Sequence, residues 1–180
     1  MYPDAYIAYL AHFHGDRDYF ECHEILEEYW KSLPRAQRSA LWVGLIQIAV
    51  ALYHQRRGNF PGASKMMESA ARIIAQEQRS LTALGIDAAL LLQQASEKLE
   101  DLRQQKPYES IQLPLIDNEL IKQCRKWCEE HGMVYGQAGN LADPELIHRH
   151  TLRDRSGVIR EREESLRAKQ ESLRQAGEQH

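Results

Sequence analysis

Apolar side chains recur every three or four positions along much of the chain, a spacing that predicts amphipathic α-helices. Pro3 and Gly15 bound the first predicted helix. A second helix is expected to begin after Asp18, because Asp18 and Glu21 have the spacing of a capping box. This second helix has to end before Pro34, since proline cannot continue a helix.

The third predicted helix, within residues 35–57, is apolar on nearly all sides and is therefore expected at the centre of the fold. Gly58 is expected to end it in a left-handed conformation, and Asn59 to cap a fourth helix. A fifth helix is expected to begin after Asp87. Towards its C-terminal end, glutamines and charged residues replace the apolar ones. We therefore predict an all-α fold, with a compact helical bundle of about five helices over residues 1–105.

Residues 106–180 are predicted to form a C-terminal helical extension. Within it, residues 111–113 alternate as a strand does and are expected to pair with residues 133–135 in a minor two-stranded ribbon. Asp117 is expected to open a helix that ends near His131. The final charged stretch carries apolar residues seven positions apart, which predicts a helix that lies against the bundle or a second copy. These residues are Leu152, Ile159, Leu166 and Leu173.

Composition narrows the expected location and partners. The chain has 23 Lys and Arg against 26 Asp and Glu, so no strong field attracts nucleic acid or an anionic membrane. No stretch approaches the roughly 20 apolar residues of a membrane span. The three cysteines form neither a disulfide framework nor a CxxC pattern, which favours a reducing cytosol. We therefore expect a cytoplasmic protein without nucleic-acid or membrane partners, which forms a homo-oligomer or binds a protein through its C-terminal helix.

The candidate chemistry lies in the stretch YFECHEILEEYWK of the second predicted helix. His23 and Glu27 are one helical turn apart and share a stripe with Trp30, so they are expected to face the core. Glu24 lies beside this pair in sequence and is expected to be rotated away from it.

The third predicted helix offers two further polar residues. Gln47 and His54 are seven positions apart and share a face. A short connection favours antiparallel packing of the second and third helices, which would bring these two side chains to His23 and Glu27. The candidate site residues are therefore His23, Glu24, Glu27, Gln47 and His54.

Three interpretations of this cluster remain open. The first is structural: a buried imidazole satisfied by Glu27 or Gln47. The second is a metal site in which His23, Glu27 and His54 supply ligands, although HEILE is neither the HExxH of zincins nor the Glu-x-x-His of di-iron bundles. The third is proton transfer without metal, by a histidine that a carboxylate aligns. The sequence does not identify which metal or other cofactor, if any, would bind here.

Two further patterns carry a weaker signal. Cys124, Cys128 and His131 share one helical face, which is compatible with zinc, but buried thiols are the commoner outcome of such spacing. Arg56 and Arg57 precede a helix start, where an anion could bind; a solvated turn is the commoner outcome there.

The segments FHGDRDYFECHEILEEYW and GLIQIAVALYHQRRGNFPGA resemble the small all-helical family called domain of unknown function 309. The resemblance covers about residues 5–102. It implies a compact bundle of about five helices and no assigned activity, and it gives residues 107–180 no role. The positions that match are Phe20, Glu21, His23, Glu24, Glu27, Trp30, Gln47, Ala49, His54, Gly58, Asn59, Gly62 and Ala63.

Together these patterns predict a polar His/Glu cluster between the second and third helices, as a small-molecule or metal-dependent site for hydrolysis or proton transfer. In that prediction His23 is base or ligand, Glu27 orients it, and the remaining candidates contact substrate or metal. The alternative is a non-enzymatic helical interaction or scaffold module, in which the same residues form a buried network that fixes helix register.

Overall fold

The computed structural model describes residues 2–139, 143 and 147–148, and this part of the chain is all-α, as predicted. Its helices are α1 (Asp4–His14), α2 (Tyr19–Ser32), α3 (Ala40–Arg56), α4 (Phe60–Gln76), α5 (Gln78–Ala83), α6 (Ala88–Arg103) and α7 (Asn118–Glu130). A short 3-10 turn at Arg35–Gln37 joins α2 to α3. Among the described residues, no helix is both long and apolar enough to cross a bilayer.

Local sequence signals set where the helices begin and end. Four helices begin at a side chain that accepts a hydrogen bond from a backbone N–H in the first turn. These capping residues are Asp18 of α2, Asn59 of α4, Asp87 of α6 and Asp117 of α7. Gly58 has a φ of 73° and ends α3, because a residue without a side chain adopts this left-handed conformation at little cost. The predicted starts of these four helices and the predicted end of α3 are therefore confirmed, whereas the single helix expected before the turn at Leu84 is divided into α4 and α5.

Helix α3 lies at the centre of the bundle, as its apolar sequence predicts. It packs against α2 on one side and α4 on the other, and its side chains Leu45, Ile48 and Leu52 are buried. Gly44 permits the close approach of α4, since a Cβ atom at this position would lie 2.8 Å from Ile73 Cγ2. Around this centre α1 packs against α2 and α7, and α4 packs against α6.

Helices α2 and α3 pack antiparallel. At one end the rings of Phe20 and Tyr53 lie 6.1 Å apart, and at the other the rings of Tyr29 and Trp42 lie 5.1 Å apart. The first residue of each pair comes from α2 and the second from α3, so the two helices run in opposite directions. The predicted antiparallel hairpin is thus confirmed.

Residues 107–139 pack into the same core as the bundle. Leu113, Leu120 and Cys124 belong to the cluster of buried side chains that also contains the centre of α3. The first compact unit of the chain extends from Met1 to His148. The boundary expected near residue 105 falls inside the first unit.

The ribbon expected between residues 111–113 and 133–135 does not form, and the described residues contain no strand. The carbonyl oxygen of Ile111 instead accepts a hydrogen bond from a buried guanidinium. The extended segment makes one isolated antiparallel bridge, between Leu115 and Ile86.

That guanidinium belongs to Arg17, a fully buried residue in the loop between α1 and α2 with a φ of 60°. Its side chain donates hydrogen bonds to the carbonyl oxygens of Phe13 (2.8 Å), Ile111 (2.6 Å) and Gln137 (2.9 Å). The last two acceptors are 94 and 120 residues away in sequence. Arg17 therefore ties the segment after α6 and the segment after α7 to the start of the bundle.

The expected charged helix and its seven-residue stripe at Leu152, Ile159, Leu166 and Leu173 lie outside the described residues. Contact of this stripe with the bundle, a second copy or another protein stays a prediction.

Candidate functional site

His23, Glu24 and Glu27 form a compact cluster on α2. Each offers one ligand atom, and these three atoms all lie within 4.8 Å of one another. His23 Nδ1 lies 3.0 Å from Glu24 Oε1, and His23 Nε2 lies 3.9 Å from Glu27 Oε2. The three side chains are 30%, 34% and 39% exposed, respectively. Glu27 also lies 3.3 Å from the ammonium group of Lys31.

The position of this cluster follows from how α2 is buried. Tyr19, Cys22 and Leu26 are fully buried and form the inner face of the helix. His23 follows Cys22 and is turned about 100° from it, so it lies at the edge of that face instead of pointing into the core. Glu24, expected to be rotated away, bonds to His23, because a flexible glutamate side chain at the same edge reaches its neighbour's ring.

The two candidates on α3 are half-buried but do not hydrogen-bond to His23 in the described part of the chain. Gln47 Oε1 is buried and has no hydrogen-bond partner there. His54 Nδ1 lies 3.1 Å from the side-chain nitrogen of Asn59, whose oxygen caps α4. That nitrogen donates, so Nδ1 accepts and Nε2 carries the ring hydrogen. Burial and then the charge of Arg57 lower the pKa of His54, which also favours this neutral form.

Aromatic rings connect the α2 cluster to the end of α3. The ring of Phe20 lies 6.4 Å from that of His23 and 6.1 Å from that of Tyr53, and the ring of Tyr53 lies 6.4 Å from that of His54. The antiparallel hairpin thus brings His23 and His54 to the same end of the two helices. They are linked there through two aromatic side chains and not by direct contact.

Two arginines at the end of α3 have different surroundings. The guanidinium of Arg56 lies 5.0 Å above the ring of Tyr19 and donates a 2.8 Å hydrogen bond to the carbonyl oxygen of Arg17. The guanidinium of Arg57 lies 5.4 Å from the ring of Tyr53. The buried Nε atoms of both arginines lack a hydrogen-bond partner in the described part of the chain, so the two differ in the bond from Arg56 to the Arg17 carbonyl and in their aromatic contacts. The sequence pattern indicated both arginines as possible anion-binding residues. Only their tertiary contacts distinguish one from the other.

The cysteine pattern on α7 does not form a zinc site among the described residues. Cys124 and Cys128 are buried, and burial raises the pKa of their thiols to about 12 and about 11. Cys128 donates to the carbonyl oxygen of Ala11, while His131 is exposed and stacks on Trp127 with a centroid distance of 3.6 Å. The thiols and the imidazole therefore lie in different environments and do not converge.

The chain matches a family model and a bacterial protein. Residues 6–66 match the family described as Domain of unknown function (DUF309). Over 160 residues the chain is 48% identical to the "Uncharacterized protein YpuF" of Bacillus subtilis (strain 168), an alignment that covers 89% of this chain and 92% of that protein. No solved structure matches.

Proposed function

The chain belongs to the family called domain of unknown function 309, which names no activity, and from its site we propose a metal-dependent function. One divalent transition metal ion binds to His23, Glu24 and Glu27, and the protein uses it to hydrolyse a small molecule. The observation that supports this proposal is the mutual separation of at most 4.8 Å between three ligand atoms. Imidazole and carboxylate ligands suit zinc, iron and manganese.

The exposure of the cluster favours binding over a structural role. Partly exposed ion pairs contribute little to stability, typically below about 1 kcal/mol. All three side chains are about one-third exposed, and their mutual contacts lie on a single helix. Such a cluster fixes little of the helix packing, but solvent and a small ligand reach it.

Three protein ligands leave coordination positions for water and substrate, an arrangement that supplies a hydroxide nucleophile near neutral pH. A bound metal would compete with the contact between His23 and Glu27 and with the contact between Glu27 and Lys31. Gln47 and His54 are the candidate substrate contacts, because the first has a buried oxygen without a partner and the second presents Nε2–H.

Elemental analysis of the full chain, purified without chelator or affinity tag, tests the proposal. We expect about one equivalent of zinc, iron or manganese per chain, and an apo protein that takes up Mn²⁺ or Co²⁺ in a calorimetric titration. His23→Ala and Glu27→Gln should each weaken that binding at least about tenfold, since a ligand is lost. Substoichiometric metal together with no titratable site would contradict the proposal.

His12→Ala is the matched control. His12 and Asp16 form another i, i+4 pair, with a distance of 3.1 Å, but they do not belong to a group of three ligand atoms among the described residues. This variant should bind metal as the wild type does. The hydrolytic part is tested with chromogenic carboxylic and phosphoric esters. If the metal-bound protein hydrolyses these esters no faster than buffer does, the hydrolytic part of the proposal is wrong and a binding or scaffold role is favoured.

A further inference from the structure

Arg57 is a half-buried cation whose charge is not paired within the described part of the chain. Its side chain forms no ion pair and no hydrogen bond there, and its Nε is buried without a partner. The contact observed is with the ring of Tyr53, 5.4 Å from the guanidinium carbon. A partly desolvated guanidinium favours a carboxylate or phosphate partner, because its planar fork matches their oxygens.

The neighbouring Arg56 also has a buried Nε without a partner among the described residues, but the rest of its side chain is held by other contacts. Arg56 lies between three aromatic rings and donates to the carbonyl oxygen of Arg17, so it is held in place by the fold. Arg57 is adjacent in sequence and shares Tyr53 as an aromatic contact. The difference between the two leaves Arg57 as the arginine that is available to a ligand.

His54 adds a neutral hydrogen-bond donor beside this charge. Its Nδ1 accepts from Asn59, which leaves Nε2–H to donate, and this nitrogen makes no hydrogen bond among the described residues. Burial, and then the positive charge of Arg57, lower the pKa of His54, so Arg57 contributes positive potential at this imidazole. The N-terminus of α4, which begins at Phe60, contributes further positive potential.

We infer that Arg57 and His54 form a subsite for the oxyanion group, a carboxylate or a phosphate, of the small molecule whose reacting bond lies at the His23, Glu24 and Glu27 cluster. This inference rests on the metal site proposed above. The rings of Phe20 and Tyr53 lie between the two ends, with successive centroid distances of 6.4 Å and 6.1 Å from His23. The expected substrate is therefore an anionic molecule with an acidic group at one end and a hydrolysable bond at the other.

Histidine-ring NMR of the full chain tests the subsite directly. Inorganic phosphate and acetate are titrated separately, and the resonances of His54 are followed. We expect a saturable shift with at least one anion, and at least about tenfold weaker binding in Arg57→Gln, because a charge-assisted hydrogen bond is lost. The anion that binds more tightly identifies phosphate or carboxylate as the recognised group. No saturable shift with either anion, or equal affinity in Arg57→Gln, would overturn the inference.

Two variants separate this inference from the metal proposal. Arg72→Gln removes the same charge from an exposed position on α4 and should leave anion binding unchanged. His23→Ala should lose metal but keep the phosphate- or acetate-dependent shift of His54. A shift that requires His23 would mean that the anion binds at the metal, which overturns the subsite. Metal binding that survives in Arg57→Gln, with the anion response lost, supports both proposals independently.

Discussion

The molecule has two polar regions that differ in how far their contacts reach along the chain. Around Arg17 the polar groups are buried, and the guanidinium bonds to carbonyl oxygens 94 and 120 residues away. Around His23 the polar groups are about one-third exposed and contact residues one and four positions away. The first region holds separate segments together, whereas the second lies on one helix.

This difference separates stability from function. A buried polar group has to keep its partners, since an unsatisfied one costs about 1–3 kcal/mol. The groups around Arg17 are therefore committed to the fold. The carboxylates around His23 remain accessible to solvent. Their contacts with His23 contribute little to stability, so these contacts can be replaced by contacts with a ligand at little cost. Replacing residues in each region should accordingly change different properties of the protein.

Replacing Arg17 with Ala should have the largest effect. The change leaves the carbonyl oxygens of Phe13, Ile111 and Gln137 without this donor, and we expect unfolding to become easier by about 3 kcal/mol or more. Urea unfolding followed by circular dichroism measures the change. Arg72→Ala, an exposed control, should stay within about 0.5 kcal/mol of wild type. A loss below about 1 kcal/mol in Arg17→Ala would show that the network is dispensable.

His14 should make the same buried region sensitive to acid. Burial, and to a smaller extent the charge of Arg17, lower its pKa from 6.5 to about 4, although its hydrogen bond with Gln112 opposes the shift. Between these two values the unfolded chain binds more protons than the folded one. Stability from this group is thus fully present above pH 6.5 and is lost as the pH falls to about 4, by about 3 kcal/mol.

The pH dependence of urea unfolding for wild type and His14→Phe isolates this contribution. The variant lacks the imidazole, so its stability should fall less steeply between pH 6.5 and 4, whatever its absolute value. Other groups titrate in both proteins and cancel in the difference. Identical slopes in the two proteins would mean that His14 does not control the acid response.

The fold could be predicted where its cause is local in sequence. The caps at Asp18, Asn59 and Asp87 depend on a side chain and a backbone N–H three residues later, and the all-round apolar character of α3 shows directly in its residues. The packing of residues 107–139 could not be predicted in this way. It depends on Arg17 contacts across about a hundred positions, and no pattern in the sequence specifies them.

The site could be predicted only as a set of residue types. Helical spacing correctly paired His23 with Glu27, and antiparallel packing brought His54 to the same end of the hairpin. Whether His23 points into the core or lies at the edge of the buried face depends on which helices pack against α2. The rotamer that brings Glu24 to the His23 ring cannot be predicted from the spacing of the two residues. The sequence marked Arg56 and Arg57 together as a possible anion site, with a solvated turn as the commoner outcome. The difference between their contacts, on which the proposed subsite depends, is a tertiary property.

Replacing His23 with Ala, or Glu27 with Gln, should have the smallest effect on stability, below about 1 kcal/mol, when both proteins are measured in the presence of a chelator. The chelator matters because a bound metal stabilises the folded state by mass action and would hide the difference. Leu26→Ala is the positive control on the same helix; it removes a fully buried side chain and should cost about 2–5 kcal/mol. If His23→Ala were as destabilising as Leu26→Ala, the cluster would be a structural network, and the scaffold alternative would gain over the metal site. A small loss without metal, together with a larger loss of stabilisation when metal is added, would separate the two regions as the structure predicts.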